Sequence, residues 1–384
     1  MLHVVLYRYF ALSTKACCRT SRQKGTTRVF TLTEDTPLPK QSLVLNVTDN
    51  KKQLIKLIVD RLCEMQPPLD TDVVITGPDP QPVHMGSGLK EPPLHHEEAD
   101  VLMAFHVINE ASSGHTAIKV ISDDTDVLVI LAHHIHKQTG ALSGDLALFV
   151  ESCSSGPGHN VISVNDVVRK HQKIMPNLLA AHALTGCDTV SSFSGIGKAS
   201  TLKTLPKFTG QLKLGNLTAS TEEVTDSCLE FVCLLYGEET TISLNTVRAN
   251  CFKKRISGKR HLPPKLSSLP PTMAPFRVHC QRANYQVALW EAADDPTPPC
   301  LDPLDYGFQL KQSTLCPTFG LESQLPAPDE VLNLVSCSCK TGCISTQCTC
   351  TKMSLTCTVF CKCQGSIECY NPATVSTNSS EQDS

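Results

Sequence analysis

Ala117-Ile118-Lys119-Val120-Ile121-Ser122-Asp123-Asp124-Thr125-Asp126-Val127-Leu128 sets three carboxylates within four residues, between two apolar stretches. Ala117–Ile121 reads as a strand, and the apolar pattern resumes at once over Val127–Ala132. Acids pinned between core-forming runs are not an ordinary solvated loop. In open α/β sheets, sites collect at the carboxyl ends of strands, and this turn stands at such an end. Upstream, His96-Glu97-Glu98-Ala99-Asp100 heads a helical pattern. Its residues Ala99, Leu102, Met103, His106 and Val107 share a face that Val101, Phe105 and Ile108 widen, so the helix should be buried on most sides. Downstream, Leu184-Thr185-Gly186-Cys187-Asp188 is followed by Gly195-Ile196-Gly197-Lys198.

The rest of the chain extends this pattern. Met1–Leu12 reads as a strand or a short helix. Asn50–Leu62 carries Leu54, Leu57, Ile58 and Leu62 at helical spacing, with Asn50 as its cap. Asp72–Thr76, Leu146–Val150 and Val161–Val164 are strand candidates. Asn165–Leu184 is helical with a kink or break at Pro176. Lys198–Leu235 reads as helix with loops, and Arg282–Ala292 as one more helix with the sole tryptophan, Trp290, as a core anchor. Short apolar strands alternating with helices predict an α/β fold with a mainly parallel sheet and flanking helices.

Composition narrows the classes. The chain has 384 residues, is 41% hydrophobic and 18% charged, and carries a net charge of −3, which is globular rather than disordered. No global basic field advertises nucleic acid, so any such surface is local. The sequence lacks an apolar run of the roughly 18 residues that a spanning helix needs. Met1–Leu12 lacks a basic leader and a small-residue cleavage site, so it does not read as a signal peptide. Two basic runs, Lys15–Arg28 and Phe252–Lys265, read either as solvated segments or as phosphate contacts. His133, His134 and His136 read as surface or helix-end residues rather than metal ligands.

Phosphodiester hydrolysis needs hydroxide near neutral pH and neutralisation of a pentacovalent charge, which two magnesium or manganese ions supply. Such hard cations take carboxylate oxygens gathered from several elements. Asp124 and Asp126 offer one pair. Glu98 with Asp100, or Glu97 with Asp100 on one helical face, offers another, and Asp188 can complete the group. Gly195, Gly197 and Lys198 form a turn whose backbone N–H groups and ammonium suit a phosphate, or simply join two helices. The order Glu98-Ala99-Asp100, Asp124-Thr125-Asp126-Val127-Leu128, Gly186-Cys187-Asp188, Gly195-Ile196-Gly197-Lys198 resembles the PIN-like nuclease core of the flap endonuclease family over residues 70–205. It is also similar to transposon-associated animal proteins carrying the same strings. The resemblance implies Mg- or Mn-binding acids and a lysine turn on duplex phosphates. It also implies an aspartate on the first strand. The first strand candidate, His3–Tyr9, has no acid; Asp72 and Asp79 are the nearest substitutes, and the expectation is a PIN-like core lacking its first strand.

Twenty cysteines are unevenly placed: eleven scatter between Cys17 and Cys316, and nine crowd into Cys337–Cys369. The asymmetry favours reduced thiols in the body and a metal site in the tail, in the nucleus or the cytoplasm. Cys337, Cys339, Cys343, Cys348, Cys350, Cys357, Cys361, Cys363 and Cys369 are interleaved with little apolar material, and a segment so poor in core needs a staple to fold. Thiolates ligate zinc tetrahedrally. Three ions need twelve ligand positions, which nine thiolates meet if three of them bridge. The spacing resembles the CXC, or tesmin-like, domain, which implies three zincs and the capacity to bind DNA; a protein-docking zinc knot is the other reading. The expected organisation is an N-terminal segment 1–70, a PIN-like domain with a helical extension 71–262, a proline-rich linker with one helix 263–336, a zinc module 337–371 and a disordered tail 372–384. The expected function is that of a zinc-binding protein associated with DNA or RNA. The alternative is a non-catalytic scaffold that docks a partner protein through its zinc module.

Overall fold

The structure is a computed structural model. It describes residues 1–10, 12–22, 28–37, 39–67, 70–85, 91–138, 146–153, 161–240, 242–256 and 268–318, and in the cysteine-rich tail 336–339, 342–344, 347–352, 355–357, 361–364 and 369–371. Residues 372–384, expected as a tail, and much of the basic run 252–265 lie outside these. The chain divides into two compact units, Met1–Phe319 and Gly320–Ser384.

The first unit runs β1 (Leu2–Val5), α1 (Ala16–Arg22), α2 (Gln41–Leu45), α3 (Thr48–Glu64), β2 (Val73–Thr76), β3 (Val83–Met85), α4 (Ala99–Ser112), β4 (Ala117–Ile121), α5 (Thr125–Lys137), β5 (Ala147–Glu151), β6 (Val161–Ser163), α6 (Val164–Lys170), α7 (Met175–Leu184), α8 (Lys198–Thr204), α9 (Thr221–Leu235), α10 (Leu244–Ile256), α11 (Met273–Glu291), β7 (Phe308–Lys311) and β8 (Thr314–Pro317). The fold class is therefore mixed α/β. No described helix is long and apolar enough to cross a membrane.

The single, mainly parallel sheet is corrected. The described strands form three small sheets, ordered β1-β2-β3, β4-β5-β6 and β7-β8. Only β1–β2 and β4–β5 are parallel; β2–β3, β5–β6 and β7–β8 are antiparallel. Connection length accounts for this. A parallel pair needs a crossover, supplied by α1–α3 for the first and by α5 for the second. β3 returns from β2 after six residues, which allows only a reversal. The N-terminal strand candidate does form over Leu2–Val5, which pairs in parallel with Val73–Thr76 and carries no acid. Asp72 and Asp79 engage through their carbonyls, accepting from Leu2 N and from Arg8 Nη2.

The core lies in a helical layer. α5 packs on α4, α6, α7 and α11, and α7 on α8 and α11. Val127, Ile130 and Leu131 of α5, Leu179, Ala181 and Leu184 of α7, and Phe276, Ala283, Val287 and Trp290 of α11 are all buried. The segment read as a linker thus contributes a core helix, and the segment 1–70 contributes a strand. The helical pattern breaks at Pro176 as expected: α6 ends at Lys170 and α7 starts at Met175, with the proline in its first turn, where its missing N–H costs nothing. His134, read as a helix-end residue, does lie in the last turn of α5 but is fully buried, and its ring donates to Trp290 O at 2.9 Å.

Gly307 marks one tight approach. Its φ is +77°, and a Cβ there would stand 2.7 Å from Val278 Cγ1 and 2.8 Å from Val278 O. Gly307→Ala is expected to destabilise the first unit by about 1–3 kcal/mol through strain and overlap, read as a lowered urea midpoint with an unchanged slope.

Candidate metal centres

The acids collect where two helix N-termini meet. Glu98 caps α4 and Asp100 lies in its first turn; Asp124 caps α5 and Asp126 lies in its first turn. Both positions favour negative charge, because unpaired backbone N–H groups point at them. The Asp124 carboxylate accepts from Asp126 N at 2.9 Å, which fixes the turn. Asp188 follows the end of α7 after three residues and is about one-third exposed.

A buried cation stands among them. Lys15 Nζ lies 3.5 Å from Glu98 Oε2, 3.8 Å from Asp100 Oδ2 and 3.9 Å from Asp188 Oδ2. Tyr7 donates to Asp100 Oδ2 at 3.2 Å. Burial disfavours the Lys15 charge, but Glu98, Tyr7, Asp100 and Asp188 together outweigh it and hold the ammonium well above its ordinary range. Asp100 goes the other way. Burial raises it to about 7; Lys15 opposes the rise, while Glu98, Asp124 and Asp126 add to it. The difference is one of numbers, since the lysine is shared by three carboxylates and Asp100 faces three like charges. Burial also raises Asp124. Asp126 is lowered against its own burial, because the His182 ring donates to Asp126 Oδ1 at 2.7 Å.

Glu98 is oriented with care. Its carboxylate accepts from Gln286 Nε2 at 3.1 Å and from Trp290 Nε1 at 3.2 Å, and Gln286 Oε1 in turn accepts from Thr189 Oγ1 at 2.6 Å. Trp290 is a core anchor and a hydrogen-bond donor at once. Of the two glutamates the sequence left open, Glu98 joins Asp100. Glu97 is engaged by Ser13 Oγ at 2.6 Å and Arg19 Nη2 at 3.0 Å. Positions i and i+2 of a regular helix diverge, but Glu98 is an extended cap residue (φ −82°, ψ 127°) outside the helix.

Lys198 opens α8 beside the end of α7. Its ammonium donates to His182 O and to Gly186 O, so it neutralises the carbonyl end of α7. Burial lowers its pKa. Gly195 takes φ +77°, and Gly197 N donates to Ser200 Oγ at 3.0 Å. Beside this corner opens a cavity of about 570 Å³, walled by Leu128, Val129, Ile174, Leu178 and Leu202. It is aliphatic and separate in character from the acids, although His182 and Lys198 border it. The residue that sequence reasoning missed is Lys15. It was one of five basic residues in an apparently solvated run, and only Ser13-Thr14-Lys15 folding onto the acids buries it.

The second unit offers a different donor set. Cys337, Cys343, Cys348, Cys350, Cys357, Cys361, Cys363 and Cys369 are buried against one another, with Cys339 packed beside them. All are free thiols. Sγ–Sγ separations are 3.7 Å for Cys337–Cys343, 3.9 Å for Cys337–Cys357, 3.7 Å for Cys337–Cys363, 3.5 Å for Cys350–Cys361 and 3.8 Å for Cys363–Cys369. A disulfide would set the sulfurs about 2 Å apart. A tetrahedron with zinc–sulfur bonds of about 2.3 Å has edges of about 3.8 Å, so the donors fit zinc. Three four-thiol groups each fall within 4.8 Å: Cys337, Cys348, Cys350 and Cys357; Cys337, Cys343, Cys357 and Cys363; Cys337, Cys339, Cys343 and Cys348. Cys337 belongs to all three. Buried Asn371 donates to Leu355 O at 2.8 Å and to Cys357 Sγ at 3.2 Å, the kind of outer contact that fixes a ligand. The acids of the first unit are not gathered so tightly; among the described residues only the thiols are. The chain matches no protein-family model, no curated protein and no solved structure.

Proposed function

We propose that the chain is a zinc-binding protein associated with nucleic acid, in which a CXC-like module of three zinc ions and nine thiolates accompanies a PIN-like domain. The observation that carries the reading is the set of sulfur spacings near 3.8 Å, which suits the edges of a zinc–thiolate tetrahedron and excludes disulfides, whose sulfurs would stand about 2 Å apart. Cys337, shared by all three four-thiol groups, is the foremost bridging thiolate. In the acidic domain, Asp124, Asp126 and Asp188, with Glu98 and Asp100, would hold magnesium or manganese, which lowers the pKa of bound water and neutralises charge on a phosphodiester. Tyr7, Gln286 and Trp290 orient the carboxylates, and His182 keeps Asp126 ionised. The reading places the protein in a reducing compartment, the nucleus or the cytoplasm.

The alternative, a non-catalytic scaffold that docks a partner protein through its zinc module, draws support from Lys15. An ammonium bonded to three of the five acids already neutralises part of the charge a metal would meet. Cleavage decides between them. Zinc-loaded protein is expected to cut single-stranded, duplex or flapped DNA or RNA when manganese is added, and the double variant Asp124→Asn, Asp126→Asn to lose at least about 100-fold of that rate. Asparagine at 124 keeps the helix cap, so the loss is not one of folding. Absence of cleavage by the folded parent protein would leave the scaffold. Nucleic-acid binding through phosphates should also weaken steeply as salt rises.

A further inference from the structure

A second polar layer lies further along α4 from the acids, on the face that the β1-β2-β3 sheet turns toward that helix. His3 of β1 and His84 of β3 stand in register on either side of Val74, so both side chains leave the sheet on the same face. His106 of α4 packs onto them, with its ring centroid 4.3 Å from that of His3. Glu91, in the segment leading to α4, brings Oε1 to 3.7 Å from His84 Nε2. Burial is deep: His106 is 3% exposed, and the side chains of His84, His3 and Glu91 are 7%, 14% and 17% exposed.

Buried polar atoms are nearly always hydrogen-bonded, and exceptions ask for a water or an ion. Four exceptions fall in this one layer: His3 Nδ1, His84 Nε2, His106 Nδ1 and Glu91 Oε2. The remaining ring nitrogens of His3 and His106 are committed. His3 Nε2 donates to Glu110 Oε1 at 3.1 Å, and Glu110 Oε2 is held in turn by His115 Nδ1 at 3.0 Å. His106 Nε2 shares a 2.7 Å hydrogen bond with Thr76 Oγ1. One nitrogen fixed by a carboxylate or hydroxyl and the other left open is the arrangement of a metal-ligating histidine. Burial first, with His3 and His84 adding to it, keeps His106 uncharged, the form that ligates.

We propose that His3, His84, His106 and Glu91 form a site for a borderline divalent ion of the zinc class, with Glu110 and Thr76 orienting two of the imidazoles. Three imidazole nitrogens and one carboxylate oxygen are a common donor set for zinc, cobalt or nickel. The four atoms are spread more widely than the thiol groups, which alone fall within 4.8 Å among the described residues. Among the described residues no three of these donor atoms lie within 4.8 Å of one another, so closing the set requires the side chains of His84, on the edge strand β3, and of Glu91, in the segment before α4, to rotate from their buried positions. The site is independent of the cysteine module and of the acidic pocket.

The test uses the full chain loaded with cobalt(II). Thiolate-bound cobalt absorbs through intense sulfur-to-metal charge transfer, whereas a histidine and carboxylate site adds only ligand-field bands. The parent protein should hold one ion more per chain than the double variant His84→Gln, Glu91→Gln. It should lose ligand-field but no charge-transfer intensity on that substitution. Glu91→Gln alone, a half-buried near-isostere, repeats the comparison if the double variant does not fold, and circular dichroism verifies folding. Equal metal content and equal spectra in parent and folded variant would leave a histidine layer hydrogen-bonded around water, and would overturn the site.

Discussion

Stripping zinc from the loaded chain with a chelator is expected to abolish the fold of residues 337–371, and returning zinc to restore it. Among the described residues the buried apolar side chains of the second unit are eight cysteines, so ligand-to-metal bonds must supply what a core supplies elsewhere. For structural zinc in small domains that binding is worth roughly 10–16 kcal/mol near neutral pH, comparable with the roughly 5–15 kcal/mol of net stability of a whole globular domain. Amide hydrogen exchange over these residues checks the expectation: protection present with zinc, absent without it. The cysteines are not equivalent. Cys337→Ser touches all three four-thiol groups, whereas Cys339→Ser touches one, so the first should release more metal than the second. Protection that survives complete zinc removal would mean that the thiols pack without an ion and would remove the basis of the zinc reading.

Lys15→Met carries the next largest effect. It removes the cation that Glu98, Asp100 and Asp188 share and leaves buried carboxylates uncompensated, a loss of about 3–5 kcal/mol in comparable buried pairs. Trp290, the only tryptophan in the chain and buried in the first unit, reports the unfolding by fluorescence in urea. The cost depends on pH through Asp100. Its carboxyl titrates at about 7 when folded and at about 3.9 in the unfolded chain. Below about pH 4 it is protonated in both states and has no effect. As pH rises toward 7 the unfolded state ionises first, so this group progressively disfavours the fold, and by pH 8 the full penalty is present. The Lys15 charge persists throughout that range, since its own pKa is raised. The substitution should therefore hurt most at pH 8 and appreciably less at pH 5. Manganese added at pH 8 should restore part of the loss, because a divalent ion can take the place of the ammonium. A variant as stable as the parent at pH 8 would show that the acids are neutralised from elsewhere.

Local periodicity carried much of the fold in the sequence. Leu54, Leu57, Ile58 and Leu62 announced α3, and Ala117–Ile121 is β4 to the residue. The parallel sheet was not legible, because pairing direction depends on which strands meet, and β3 and β6 are three-residue strands below the reach of any alternation. The helix Met273–Glu291 was read nine residues short, since Arg277, His279 and Arg282 interrupt its apolar pattern. In the structure His279 donates to Leu184 O and Arg282 to Gly307 O and Thr318 O, so these two are interior partners, while Arg277 stays on the exposed face beside Glu222. The acids of the pocket stood out as residues. Their counter-ion did not, because a buried lysine and a solvated one look alike until the chain has folded.

The helix that completes this core is nearly the last part of its unit to be made. α11 packs against α5, α7 and α9, and its Gln286 and Trp290 hold Glu98 from almost two hundred residues away. During translation, every earlier element leaves the ribosome before its closing partner exists. The apolar faces of α5 and α7 must therefore wait uncovered through the synthesis of about ninety further residues, several seconds or more at ordinary elongation rates. A nascent chain of this kind invites holding by chaperones. Any transcript that ends before Met273 encodes a product with an open core, prone to aggregation and degradation even with all five acids present.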